Sequence, residues 1–337
     1  MLLVRLLLVF LLLTNIAESN EINLFTSRHY ESDIDLYKKF TTDTGIKVNI
    51  INGKSKVLEK RILDEGAKSK ADILFLADAG ALFSAQEKTL FIKHNLKNIE
   101  TLVPKSLRNQ YWVGITKRAR ILFYNPKFTN LNEIKNISYE DLSNERWKGE
   151  IAIRQANNIY NQSLVASIIE HNGVKKTEKW LKKFVKNFAR VPQGNDRAQI
   201  LMVAAGEAKL AVANTYYYAL MKSGKKGKEQ KKAAEKVKPI FPNQSNRGTH
   251  VNISGAGILK FSPNKENAHK FLKFLLTEKA QIHICKNSFE YPIIKNLKNN
   301  ILFEEINNFK EDKSISVSVY GERQKQAFKL MKKAGWN

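Results

Sequence analysis

Cysteine is nearly absent from this 337-residue chain: Cys285 stands alone. That excludes an intramolecular disulfide and any zinc site built from several thiolates. Cys285 lies in a helical, apolar context beside Ile282 and Ile284, so it reads as a packing residue rather than a nucleophile. Acidic residues are also scarce. Against 57 Lys and Arg there are only 32 Asp and Glu, a formal net charge of +25. Beyond the first residues no segment is apolar enough to span a membrane. The G-x-S-x-G, H-E-x-x-H and G-x-x-x-x-G-K-[ST] motifs are all missing, which argues against an enzyme. No repeat with a period of 20–50 residues is present, so a solenoid is not indicated.

What remains is a globular composition, 43% hydrophobic and 26% charged, with length for about two domains. The chain start is a separate block. Met1 to Arg5 carries one positive charge, Leu6 to Leu13 is unbroken apolar sequence, and Ala17-Glu18-Ser19 supplies small residues near an exit point. This pattern predicts a cleaved secretory signal peptide over 1–19. The apolar run is shorter than the roughly 20 residues a bilayer requires. No cysteine follows it to carry a lipid, so the mature protein is expected free in the periplasm or an equivalent space.

An excess of lysine invites a nucleic-acid partner, because Lys and Arg neutralise phosphates. Export, the lack of zinc-finger or RNA-binding signatures, and the even spread of the lysines all oppose it. The densest run, Lys222 to Lys238, has no aromatic residue on which a base could stack. It reads as a solvated helix or loop, and no nucleic acid is expected.

Strand and helix periodicities alternate from Glu21 onward. Strands are predicted at Ile22–Thr26, Lys47–Ile51, Ile73–Leu76, Ile151–Arg154 and Leu210–Ala213. Helices are predicted at Ser32–Thr44, Lys56–Lys68, Ala79–Gln86, Gln162–Glu170, Lys176–Asn187, Asp196–Ala205, Lys265–Leu276 and Glu322–Lys333. The alternation predicts an α/β fold with largely parallel, buried sheets in two lobes with a cleft between them. Ligands of such sheets gather at the carboxyl ends of the strands.

Several of the 11 tyrosines lie at those ends. Tyr30 follows the first strand, Tyr160 follows the strand at 151–154, and Tyr216, Tyr217 and Tyr218 follow the strand at 210–213. Neighbouring helical residues are turned by about 100°, so two of the adjacent three can reach a cleft while the third packs inward. A phenol has a pKa near 10, and a cluster of phenolates needs a highly charged cation to stabilise it. Hard oxygen anions suit hard cations, with Fe(III) the obvious one. The same residues also fit interfaces and core edges, because tyrosine is amphipathic.

Ser27-Arg28-His29-Tyr30, Tyr160 and Asn214-Thr215-Tyr216-Tyr217-Tyr218 resemble the FutA/FbpA-type periplasmic ferric-ion-binding proteins of ABC importers. Ala71-Asp72-Ile73 with Ala77-Asp78-Ala79-Gly80, and Asn264 to Gln281 followed by Glu290-Tyr291-Pro292, are similar to further segments of that family. The resemblance covers nearly all of 20–337. It implies a two-lobed, flytrap-like periplasmic-binding-protein fold, with 20–118 plus about 250–292 in the N-terminal lobe and about 119–249 plus 293–337 in the C-terminal lobe. It implies Tyr30, Tyr160, Tyr216 and Tyr217 as phenolate ligands, and His29 at a position that ligates in some members. Tyr218 is expected to pack. Four phenolates on Fe(III) leave one negative charge, and Arg120 matches a basic cleft residue that would offset it. Fe(III) is the expected cargo, with Fe(II) a second candidate. The partners implied are an inner-membrane ABC permease and its ATPase, served by a monomer. A polyamine- or sugar-binding protein of the same fold is the alternative.

Overall fold

Each short apolar run near the chain start is followed by an amphipathic helix that carries the chain back over the sheet, and this makes neighbouring strands parallel. In order these are β1 (Glu21–Thr26), α1 (Glu31–Thr44), β2 (Lys47–Asn52), α2 (Ser55–Glu65), β3 (Ile73–Leu76) and α3 (Ala79–Glu87). β1 pairs in parallel with β2 and β3. This computed structural model describes residues 20–28, 30–295, 297 and 302–337, so the leader expected at 1–19 and His29 lie outside the described residues.

Past the short α4 (Ile99–Leu102), the 12-residue strand β4 (Val113–Tyr124) joins two sheets. The chain continues through α5 (Leu131–Ile134), β5 (Ile151–Ala152), α6 (Ile159–Asn172), α7 (Val174–Phe184), α8 (Asp196–Ala205), β6 (Leu210–Asn214), α9 (Thr215–Lys222), α10 (Lys228–Lys236) and β7 (Lys238–Ile240). It returns on β8 (Val251–Ile258) and ends with α11 (Lys265–Leu275), α12 (Glu278–Ser288), β9 (Tyr291–Pro292), α13 (Val319–Glu322) and α14 (Gln324–Lys333). The first half of β4 pairs with β8 and β9, and its second half with β6 and β7. The strand order is β2-β1-β3-β8-β4-β6-β5.

Parallel pairing therefore holds at β2-β1-β3 and at β5-β6, but the expectation of a largely parallel sheet fails at the centre. There β4 pairs antiparallel with both β8 and β6. The reason is topological: β4 runs out of the first sheet into the second, and β8 re-enters the first sheet in the opposite direction, between β3 and β4. The strand expected to reach Arg154 stops at Ala152. The Arg154 carbonyl accepts from the indole N–H of Trp336 at 2.8 Å and the Asn161 amide at 2.9 Å in place of a ladder partner.

The second sheet is buried on both faces, with the alternation a pleated strand imposes. Leu122, Tyr124, Leu210 and Val212 pack with Trp147, Leu181 and Trp336, while Ile121, Phe123, Ala211 and Ala213 face α8 and α9. The lysine-rich stretch forms α10, whose Ala234 is buried while its lysines are exposed. Among the described residues no helix is long and apolar enough to cross a membrane. Phe123 is fully buried and its ring lies 5.1 Å from that of Tyr218. Phe123→Ala should lower the unfolding free energy by about 3–5 kcal/mol, seen as a drop in thermal midpoint; an unchanged midpoint would contradict this packing.

Candidate functional site

Four tyrosines lie on turns that begin helices. Tyr30 is the extended residue just before α1. Tyr160 sits in the first turn of α6, whose start is fixed by Asn158, its side chain accepting from the Tyr160 N–H at 3.2 Å. Asn is a preferred residue for this capping role because its short side chain reaches the otherwise unpaired N–H groups. Tyr216 and Tyr217 lie in the first turn of α9, directly after β6.

The hydroxyls of Tyr216 and Tyr160 are 3.4 Å apart, and the rings of Tyr216 and Tyr217 lie 4.2 Å apart. Tyr218 turns inward, as helical spacing predicts, donating to Glu305 at 2.9 Å. Burial, then the Glu290 carboxylate, pushes the Tyr30 phenol well above its ordinary range, with Tyr160 and Tyr217 adding to the effect and Arg28 opposing it. Tyr216 is raised by burial, then by Tyr160, Tyr217 and Tyr30. Tyr217 is raised by burial, then by Tyr160 and Asp196. Tyr30 is thus within electrostatic range of Tyr160, Tyr216 and Tyr217.

Cations surround the cluster. The Arg118 guanidinium carbon lies 5.3 Å from the Tyr160 ring centre and that of Arg154 lies 5.8 Å from it. Burial would lower both, yet Tyr160 with Asp78 holds Arg118 up, and Asp196 with Tyr217 does so for Arg154. Arg28 covers Tyr30 at 4.8 Å and is itself fixed by Asp33 at 2.9 Å and by Glu290. Arg120 is fully buried; it donates to Asp196 at 3.2 Å, Asn214 at 3.0 Å and Asn161 at 2.6 Å. It thereby ties together the residues that adjoin the two tyrosine-bearing turns. His29 lies outside the described residues.

Arg118 and Arg154 were not singled out in the sequence. A signal for Arg118 existed in Lys117-Arg118-Ala119-Arg120: in a strand, alternate residues share a face, so Arg118 accompanies Arg120. Arg154 carries no comparable mark. Among the described residues, no group of three or more His, Cys, Asp or Glu could hold a metal ion. The donors available here are phenol oxygens, and the arrangement suits a cation of high charge that supplies the stabilisation burial withholds.

In metal-free protein the phenols should resist ionisation. Burial raises Tyr30, Tyr216 and Tyr217, and likewise Tyr37, Tyr139, Tyr291 and Tyr320. Each folded value above the unfolded one contributes stability that is present below about pH 10 and lost as pH rises through the folded value. An ultraviolet phenolate titration should therefore lag behind that of the unfolded chain and end in alkaline unfolding. Ionisation of most tyrosines near pH 10 in the folded state would contradict the burial.

Residues 68–311 match the family model described as bacterial extracellular solute-binding protein. The iron uptake protein A1 of Synechocystis sp. is 46% identical over 321 residues, 95% of this chain and 88% of that protein. Iron uptake protein A2 of the same organism is 39% identical over 324 residues, 95% of this chain and 91% of that one. Among solved structures, the Trichodesmium FutA protein in complex with iron and citrate ligands superposes with a TM-score of 0.90 at 45% identity, covering 94% of this chain and all of that one. These names agree with the resemblance carried by the tyrosine motifs, and the two-lobed α/β architecture is shared. Its relatives are solute-binding transport proteins rather than enzymes, and this chain belongs to the bacterial extracellular solute-binding protein family.

Proposed function

We propose that this protein captures ferric iron in the periplasm through the phenolates of Tyr30, Tyr160, Tyr216 and Tyr217 and delivers it to an inner-membrane ABC permease and its ATPase. The observation that carries the proposal is the meeting of Tyr160, Tyr216 and Tyr217 from two helix starts, with Tyr30 in electrostatic reach from the other lobe. The names of the relatives support the same cargo. His29, next to Tyr30 in the chain, is proposed as a further ligand. Fe(II) carries one charge fewer, offsets less phenolate charge, and is the weaker cargo.

Ligands from both lobes come together only when the lobes close, so the ion shifts an open–closed equilibrium toward the closed form. The lobes are proposed to divide as 20–118 with about 250–292, and about 119–249 with 293–337. The N–H groups of Lys295 and Val317 donate to the carbonyls of Leu102 and Ser106 at 2.9 Å each, contacts that favour a last boundary nearer α13. Arg118 and Arg154 offset the charge of a four-phenolate site, with Arg120 anchoring the turns behind it. The protein is proposed to act as a monomer.

Titrating metal-stripped protein with ferric citrate should give a saturable one-to-one visible band from phenolate-to-iron charge transfer. The double variant Tyr216→Phe/Tyr217→Phe should stay folded and lose both the band and tight binding. Retained ferric affinity in that variant would sink the assignment, and a folded parent without any band would favour an organic solute. Every phenol that binds must first lose its proton. Ferric affinity measured against a competing chelator should therefore fall by about tenfold per pH unit for each ligating phenol as pH drops; an affinity independent of pH would exclude phenolate ligation.

A further inference from the structure

Asp78 is a buried carboxylate whose donors come from both lobes. It caps α3 in the first lobe, accepting from the Gly80 N–H at 2.8 Å. Asn252 on β8 donates to it at 2.9 Å and Arg118 on β4 lies 3.5 Å away. Asn252 and Arg118 are register partners in the first sheet, so both stay with α3 whatever the second lobe does. The remaining donor is different. Ser163 on α6, fully buried, has its hydroxyl 3.2 and 3.3 Å from the two Asp78 oxygens.

Ser163 follows Tyr160 by three residues, which puts the two side chains on one face of α6. The same turn thus presents a phenol to the candidate site and a hydroxyl to the opposite lobe. Beside this contact α13 packs against both α3 and α6, and a Cβ at Gly321 would collide with Phe83 on α3. The lobes therefore touch closely along this seam.

We propose that the hydrogen bond from Ser163 to Asp78 is a latch that holds the lobes closed on the Tyr160 side, making Ser163 a positioning residue for retention of the cargo. The proposal rests on the ferric function above. Opening the lobes removes Ser163 from Asp78 and leaves Gly80, Asn252 and Arg118 in place, so the contact stabilises the closed form alone. At 3.2 and 3.3 Å the hydroxyl is shared between the two oxygens and the contact is longer than a charge-assisted bond; its removal leaves a buried carboxylate with one donor fewer and acts on release rather than on the ligand set.

The test is a chelator challenge of iron-loaded protein, followed by the visible band, on the parent and on Ser163→Ala and Ser163→Thr. Ser163→Ala should release iron about tenfold faster with the band unmoved in wavelength, and Ser163→Thr should restore slow release because it keeps the hydroxyl. Equal release rates in parent and Ser163→Ala would overturn the latch. A shifted band in Ser163→Ala would also overturn it, since the residue would then act on the phenols themselves. A parent that forms no coloured complex would instead overturn the ferric function, and with it a latch for ferric iron.

Discussion

Tyr160, Tyr216 and Tyr217 meet at the first turns of two helices, with Tyr30 in reach across the cleft, and burial resists ionisation of Tyr30, Tyr216 and Tyr217. A site of this kind is idle as an anion and powerful as a partner for a hard, multiply charged cation, whose own field supplies what burial takes away. The surrounding guanidinium groups follow from the same constraint. Arg118 and Arg154 lie against the Tyr160 ring, and Arg28 covers Tyr30. They limit the negative charge that four phenolates would otherwise leave on a bound trivalent ion.

The scaffold makes this possible by letting one strand serve two sheets. β4 pairs with β8 in its first half and with β6 in its second, so Arg118 reaches Asp78 at the start of α3 while Arg120 anchors Asn161 on α6 and Asn214 at the end of β6. Two residues apart on one strand, the two arginines tie the starts of α3 and α6 and the end of β6 to a common reference. Ser163 on α6 adds a contact to Asp78 at the start of α3, and the latch proposed there links capture of the ion to closure.

Much of this was legible in the sequence. Ile73–Leu76 and Asp196–Ala205 form with the bounds their periodicity predicts, and Tyr218 packs inward because successive helical residues point apart. The antiparallel centre was not legible, because the direction of β4 and β8 depends on where the chain crosses between lobes, and local periodicity carries no such information. The strand at 151–154 was overestimated because the Arg154 carbonyl is taken by Trp336 and Asn161, which are distant or next-element partners. The place of Arg154 beside Asp196 and the pairing of Asp78 with Ser163 were not legible for the same reason: each is a contact between segments far apart in the chain.

Whether tyrosine oxygens hold the iron, as proposed, is read by resonance Raman spectroscopy with excitation in the visible band of the iron-loaded protein. Ring modes of coordinated tyrosinate should be enhanced, and their intensity should fall as Tyr30, Tyr160, Tyr216 and Tyr217 are replaced one at a time by Phe. An iron-loaded protein whose spectrum lacks tyrosinate modes would rule out phenolate ligation.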